Sequence, residues 1–242
     1  MKGIWIIARR ELQSYLDSLV AYILLVVFLG LTGAFTWLFM SDIFIIKEAT
    51  MAPFFDVAFW SLFFFVPAIT MRALAEEWRT GTLEVMLTRS VSDWQLIMGK
   101  YLGILLLIGV ALAFTLPFYL AIAWLGPVDH GAVWCGYLGL LLLSSLYISI
   151  GIFASSLTDN QIVALLLTLL IGIFFHLLAG LMGTAVPGPG GRFFHFLGSG
   201  THFDSISRGV IDTRDLAYFL TLSLLALTLA EARLARRNVI GQ

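Results

Sequence analysis

The sequence predicts an all-α integral membrane protein with six transmembrane helices. Three observations predict it: 60% of the 242 residues are hydrophobic, only 12% are charged, and long apolar stretches alternate with short polar links. Soluble domains carry about 25% charged residues, and about 20 consecutive apolar residues suffice to cross a bilayer as a helix. Residues 1–242 therefore form a single transmembrane domain.

Residues 1–18 predict an amphipathic helix ahead of the first span. Apolar side chains recur there at spacings of three and four, and the charged side chains lie elsewhere around the helix. The apolar positions are Trp5, Ala8, Leu12, Tyr15 and Leu19, and the polar ones are Arg9, Arg10, Gln13 and Asp17. This pattern is typical of an interfacial elbow helix lying flat among lipid headgroups. The alternative is that the segment is only the juxtamembrane start of the first span.

Six apolar stretches are long enough to be spans. Their predicted boundaries are 20–40, 54–74, 101–125, 132–155, 161–182 and 214–231. Pro67 and Pro117 are expected to kink the second and third spans, because a proline inside a helix removes one backbone hydrogen bond. Residues 183–212, rich in glycine, proline and aromatic residues, predict short helices at the outer membrane boundary. Thr201 followed by Asp204 fits a capping box variant in this segment, and Asp212 is expected to cap the last span.

The polar interval between spans 2 and 3, residues 76–99, predicts two short helices. Thr82 can cap the first, and Ser92 followed by Gln95 forms a capping box for the second. A compact helical pair between two spans is typical of a docking surface. The alternative is an ordinary connecting loop that is helical because a helix satisfies its own backbone near a membrane.

The interval contains the pattern Glu77-x-x-x-Gly81-Thr82-x-Glu84-x-x-Leu87, with Gly99-Lys100 opening the next span. It resembles the cytoplasmic signature of ABC-2 type transporter permeases. One departure is Arg89-Ser90-Val91, where relatives usually have a proline. The resemblance implies a type V exporter fold, in which the two helices are coupling helices seated in a groove of a separate ATPase. The residues it places at that contact are Glu76, Glu77, Gly81, Thr82, Glu84 and Arg89.

A second pattern covers residues 201–212 and 215–219, ahead of and within the last span. It is similar to the corresponding segment of the gliding-motility, GldF-like subgroup of these permeases. The similarity implies a second permease chain, identical or different, and a membrane partner with a large extracytoplasmic domain.

No Walker A pattern, G-x-x-x-x-G-K-[ST], occurs in the sequence. We therefore expect no cofactor in this chain, with ATP and Mg²⁺ on the partner ATPase, and no enzymatic activity of its own. His195, His202 and Asp204 lack a recognisable zinc spacing, so no metal site is expected. No basic stripe interleaved with aromatic residues points to a nucleic acid.

A few polar residues lie inside predicted spans. Ser145 and Ser149 in span 4 fit helix-packing contacts, with a substrate-facing stripe as the alternative. His176 is the only ionisable side chain well inside a span, and a neutral histidine bonded to a neighbouring helix avoids the cost of a buried charge. A proton or substrate role for His176 is the alternative. Gly99 and Gly103 have the spacing that permits close helix approach, or are merely tolerated.

The distribution of positive charge predicts the orientation. Ten Lys and Arg residues fall on the side of the termini: Lys2, Arg9, Arg10, Arg72, Arg79, Arg89, Lys100, Arg233, Arg236 and Arg237. Four fall on the other side: Lys47, Arg192, Arg208 and Arg214. By the positive-inside rule, both termini and the polar interval are cytoplasmic, in the inner membrane of the cell.

Together with these features, the resemblance to ABC-2 permeases implies the permease subunit of an ATP-driven transporter that exports a substrate. The alternative is a mechanotransmitting subunit that drives an extracytoplasmic partner without moving a solute. A secondary transporter would show paired ionisable residues near the midplane, and a membrane enzyme would show clustered acid, base or metal ligands. The sequence has neither pattern.

Overall fold

A computed structural model of the chain describes residues 2–39, 49–81 and 92–240, and every regular element in these ranges is a helix. The first six α-helices are α1 (Lys2–Leu16), α2 (Leu19–Ala34), α3 (Ala52–Thr70), α4 (Ala75–Thr80), α5 (Asp93–Ala113) and α6 (Leu116–Leu125). The others are α7 (His130–Leu157), α8 (Gln161–Ile173), α9 (Ala179–Ala185), α10 (Pro189–Leu197), α11 (Ser199–Ser207) and α12 (Thr213–Ile240). π-Helical turns at Phe35–Phe39 and Phe174–Leu178 extend α2 and join α8 to α9. The predicted all-α fold is confirmed.

Six helical stretches in these ranges are long and apolar enough to cross a membrane. Span 1 is α2 with its π-turn, span 2 is α3, span 3 is α5 with α6, and span 4 is α7. Span 5 comprises α8, its π-turn and α9, and span 6 is α12. Six crossings bring α1, α4 and the start of α8 to one face of the bundle, which we call the α4 end. The helices α10 and α11 lie at the opposite end.

Span 4 forms the centre of the bundle. In its most apolar window 78% of the residues are buried inside the protein, against 22% for span 1. The helices α3, α8, α11 and α12 pack around it. Its side chain Tyr147 is among the largest that are fully buried.

Pro117 interrupts span 3, as the sequence predicts. The helix α5 ends at Ala113 and α6 begins at Leu116, with Pro117 in the first turn of α6. A proline is tolerated there because the first-turn N–H groups have no partner within the helix. Pro67 lies inside α3, three residues before this helix ends.

Capping signals close to helix starts are observed at two of the predicted positions. Ser92 and Gln95 form both hydrogen bonds of a capping box at the start of α5, and Asp212 accepts the Arg214 N–H at 2.9 Å ahead of α12.

The helix that begins after Ser92 does not end at Gly99 but continues to Ala113, so it is the first part of span 3 and not a separate short helix.

Thr201 does not cap a helix, although the sequence suggested a capping box variant with Asp204. It lies inside α11, which begins after Gly198, and its hydroxyl donates to the carbonyl oxygens of His195 and Gly198. The reason is that the helix already begins at Ser199, two residues before Thr201, so Thr201 lies in the first turn and Gly198 takes the N-cap position.

Candidate coupling site

The short helix α4 carries Glu76 and Glu77 in its first turn. Six residues are too few for a stable isolated helix, so tertiary contacts must hold it in place. It ends at Gly81, whose φ of 68° lies in the left-handed region that glycine adopts without a steric penalty.

Span 4 caps the start of α4. The Ser155 hydroxyl accepts the backbone N–H groups of Leu74 at 3.0 Å and Ala75 at 2.9 Å, and it donates to the Met71 carbonyl at 3.2 Å. Leu74, the residue in the N-cap position, supplies no side-chain hydrogen bond of its own. Ser155 thus performs from another helix the role that an N-cap residue usually performs locally.

The close approach of the end of α3 to span 4 depends on Gly151, one turn before Ser155. A Cβ atom at Gly151 would overlap the side chain of Thr70, the last residue of α3. The absence of this Cβ lets the end of span 2 and the start of α4 rest directly on span 4.

A buried charge cluster joins α4 to α5 and α1. Lys100 donates to Glu77 Oε1 at 2.7 Å and to Glu11 Oε2 at 3.4 Å, and only 3% of the Lys100 side chain is exposed. Glu77 Oε2 is buried without a hydrogen-bond partner among the described residues. A buried ammonium is compatible with folding only when carboxylates pair with it. The cluster therefore fixes α4 in position relative to α5 and α1.

Two glycines on α5 allow α1 to approach. A Cβ at Gly99 would lie 2.5 Å from Ile7 Cγ2, and a Cβ at Gly103 would lie 2.7 Å from Glu11 Cβ and 2.9 Å from the Ala8 carbonyl oxygen. Both glycines are therefore required for the contact between α1 and span 3, and the alternative that they are merely tolerated is wrong.

The other end of α1 is tied to span 2. The Tyr15 hydroxyl donates to the Ile69 carbonyl at 3.1 Å, and burial raises the pKa of Tyr15 well above its ordinary value, so the donor stays protonated. The Arg72 guanidinium lies 4.9 Å from the centre of the Tyr15 ring and donates to Ser18 Oγ at 3.4 Å.

The predicted apolar face of α1 is divided between two environments. Ala8 and Tyr15 are buried against the protein, whereas Trp5 is exposed. A break at Asp17 and Ser18 separates α1 from α2. The elbow is thus a distinct helix that packs on spans 2 and 3, with only part of its apolar surface left for lipid.

The predicted coupling residues fall into three groups. Glu77 faces inward to Lys100. Glu76 is half-buried and lines a cavity beside Arg72, whereas Gly81 is exposed. Thr82, Glu84 and Arg89 lie outside the described residues.

Glu11 and Ser155 were not predicted as parts of this site. Glu11 lies in the elbow helix and Ser155 at the end of span 4, and both are far in sequence from α4. In the sequence each is a single polar residue next to apolar residues. Many residues that have no role in such a site show the same pattern.

The two serines predicted in span 4 make different kinds of contact. Ser145 hydrogen-bonds Tyr101 of span 3 at 2.6 Å and Ser223 of span 6 at 3.1 Å. Ser149 donates to the Ser145 carbonyl within its own helix at 2.8 Å. Ser145 thus joins spans 3, 4 and 6, whereas the hydrogen bond of Ser149 stays within span 4.

His176 lies in the π-helical turn of span 5 and is buried. Its Nδ1 is 2.6 Å from the Tyr147 hydroxyl of span 4. The imidazole is stacked on the Phe59 ring at 4.1 Å and on the Phe63 ring at 4.6 Å. This environment of aromatic rings and one hydroxyl favours a neutral imidazole that joins spans 2, 4 and 5.

At the opposite end, His202 joins α11 to span 6. Its Nδ1 lies 2.6 Å from Asp215 Oδ1, and its Nε2 donates to the Phe196 carbonyl at 2.8 Å. Both ring nitrogens of His202 therefore already contact protein groups. His195, by contrast, lies exposed on α10. Within residues 2–39, 49–81 and 92–240, no three His, Cys, Asp or Glu side chains are placed to share a metal ion.

A larger cavity, of about 990 Å³, opens at this end between α3, α7 and α11. Asp56, Asp129 and Asp204 line it together with Arg208. Burial raises the pKa of the Asp204 carboxyl, and the nearby Arg208 opposes this shift.

The fold and the α4 site define a multi-pass helical membrane protein with a short polar helix fixed at one end of the bundle. Residues 45–229 match the family described as ABC-2 family transporter protein. This match covers most of the chain, and the protein belongs to that family, whose members are permease components of ABC transporters. No curated protein matches the chain.

Proposed function

We propose that this chain is the permease subunit of an ATP-driven exporter in the cytoplasmic membrane, with ATP and Mg²⁺ bound by a separate ATPase subunit. The observation that carries the proposal is the attachment of α4. This six-residue helix at the end of an apolar bundle is held by Ser155 of span 4 and, through Lys100, by span 3 and the elbow helix. A helix held in this way can transmit a displacement, which a loosely attached loop cannot.

The coupling surface consists of the exposed end of α4 and the residues that follow it. Arg79 and Gly81 are exposed there, and the chain continues through Thr82, Glu84 and Arg89. Glu76 borders this surface. Glu77 serves as the internal anchor, because its carboxylate is paired with Lys100 and is not available to a partner.

ATP-driven closure of the ATPase would move α4 as a unit with the structures bound to it. The turn at residues 71–74 separates α4 from α3, whereas Ser155 and Lys100 bind α4 directly to spans 4 and 3. The displacement therefore passes to the central span 4 and to span 3.

The assembly contains two permease chains, identical or different, above two ATPase copies. The α4 end and both termini are cytoplasmic in this arrangement, in agreement with the excess of Lys and Arg on that side. The similarity of residues 201–212 and 215–219 to the gliding-motility subgroup supports an additional membrane partner with an extracytoplasmic domain.

Site-directed cross-linking tests the proposal. Cys135 is the only cysteine, so a Cys135→Ser background permits single labels at Arg79→Cys on α4 and Val210→Cys at the opposite end. We expect Arg79→Cys to cross-link to the ATPase and to resist impermeant thiol reagents added to intact cells. Val210→Cys should be labelled from outside and should not cross-link. The reverse labelling pattern, or the absence of any ATPase adduct at Arg79→Cys, would contradict the proposal.

A further inference from the structure

A second cavity lies at the α4 end, between the elbow helix, the starts of spans 1 and 5 and the end of span 2. Its volume is about 140 Å³. Drug-sized ligands occupy pockets of about 300 Å³ or more, whereas a water molecule takes about 30 Å³ of liquid volume. The cavity therefore fits a group the size of a few water molecules, such as a headgroup, and not a transported substrate of ordinary size.

The lining of this cavity is polar on one side and apolar on the other. Arg72, Glu76 and Gln161 supply the polar side, and Ala21 and Leu24 belong to the apolar side. The ends of three spans meet here, since α2 begins at Leu19, α3 ends at Thr70 and α8 begins at Gln161. The cavity thus lies at the boundary between hydrocarbon and headgroups, with its apolar wall directed along the spans.

Arg72 retains capacity to bind an anion. A guanidinium has five N–H donors. One of those of Arg72 donates to Ser18 Oγ in a long hydrogen bond of 3.4 Å, and the guanidinium also lies 4.9 Å from the centre of the Tyr15 ring, which lines the same cavity. Within the described residues, no carboxylate oxygen lies within 4.0 Å of the Arg72 guanidinium nitrogens. Gln161 is the first residue of α8, and the positive end of this helix dipole adds to the field of Arg72.

Glu76 gives the cavity a second, opposite charge. It lies one turn after Arg72 and lines the same space. A simple anion would be attracted by Arg72 but repelled by Glu76. A group carrying both a phosphate and an ammonium would satisfy both residues.

Two large side chains next to the cavity are exposed on the outside of the bundle. Tyr22 on α2 and Ile162 on α8 are 52% and 66% exposed, and each follows a cavity-lining residue directly in the chain. A lipid can therefore reach the cavity laterally, with its acyl chains on these exposed surfaces.

We propose that this cavity binds the headgroup of a zwitterionic phospholipid of the phosphoethanolamine class. Arg72 holds the phosphate and Glu76 the ammonium, and the acyl chains extend along Leu24 and the adjacent lipid-facing side chains. This inference concerns a bound lipid that stabilises the contact between the elbow helix and the end of span 2. It does not depend on the proposed transport function.

Native mass spectrometry of the purified full-length chain tests the proposal with added phosphatidylethanolamine, phosphatidylglycerol or inorganic phosphate. We expect one phosphatidylethanolamine per chain to be retained. Arg72→Gln should weaken its retention about tenfold, since a charge-assisted hydrogen bond is lost, and Arg72→Lys should retain part of it. Glu76→Gln should reverse the preference in favour of phosphatidylglycerol.

Arg192→Gln serves as the matched control, because Arg192 is exposed at the opposite end of the bundle. Ala21→Phe fills the apolar side of the cavity and leaves both charges in place, and it should also displace the lipid. The proposal is overturned if Arg72→Gln and Arg192→Gln retain the same amount of lipid. It is also overturned if inorganic phosphate alone displaces the lipid, or if Glu76→Gln leaves the preference unchanged.

Discussion

The hydroxyl of Ser155, at the end of span 4, accepts the backbone N–H of Ala75 at 2.9 Å and so caps the first turn of α4. Because the cap comes from another helix, the stability of α4 depends on span 4, 80 residues further along the chain. The contact gives span 4, the most buried span, a direct connection to the surface that we propose for the ATPase.

Ser155→Ala removes this cap. Loss of an N-cap side chain costs about 1 kcal/mol, so we expect α4 to fray and ATP-dependent transport to fall while the bundle remains folded. Limited proteolysis at residues 71–81 of the reconstituted complex measures the fraying. Ser144→Ala is the control, since Ser144 donates only to the Leu140 carbonyl of its own helix. Equal proteolysis of the two variants would show that the Ser155 cap does not hold α4.

Lys100→Met leaves two carboxylates without their buried counter-ion. Breaking a buried ion pair on one side typically costs about 3–5 kcal/mol, so we expect a large loss of folded protein in size-exclusion chromatography. Adding Glu77→Gln should restore part of the yield, because it removes one of the uncompensated charges. A Lys100→Met chain with native yield and thermal stability would refute the role of the cluster.

Gly103→Ala tests the contact between the elbow helix and span 3. The added Cβ would meet the Ala8 backbone carbonyl, which cannot rotate away, so α1 must shift and thermal stability should fall. Gly109→Ala in the same helix is the control, because its Cβ meets no atom within 4 Å. That variant should be neutral or stabilising by about 0.5–1 kcal/mol, since alanine favours a helix more than glycine does. Similar melting temperatures for the two variants would contradict the contact.

His176→Phe distinguishes packing from proton transfer in span 5. Phenylalanine preserves the aromatic stack with Phe59 and Phe63, so we expect transport to persist with an unchanged pH profile and a modest loss of stability. Tyr147→Phe removes the hydrogen-bond partner of His176 Nδ1 and should cost about 1–3 kcal/mol. Loss of transport in a folded His176→Phe chain would show instead that the imidazole has a chemical role.

Features that depend on neighbouring residues were predictable from the sequence. The six spans follow from long apolar stretches, and the caps at Ser92 and Asp212 follow from side chains that reach backbone groups two or three residues away. The break near Pro117 likewise results from the chemistry of one residue. The family resemblance directed attention to the polar interval, and the family match supports it at the level of ABC-2 permeases.

Features that join distant segments were not predictable in the same way. The pattern that marked Thr201 as a cap was equally compatible with its position inside α11. Glu77 was expected at a partner surface, and only the arrangement of three helices showed that its carboxylate meets Lys100.

The sequence alone determined that this chain is a helical membrane protein, since apolar length and positive charge are properties of consecutive residues read against a bilayer. The tertiary structure alone decided which helices hold α4. Contacts from Ser155, Lys100 and Glu11 hold α4 only because glycines at positions 99, 103 and 151 let the helices come close. The energy of these contacts depends on distances in space, which the spacing of residues along the chain does not specify.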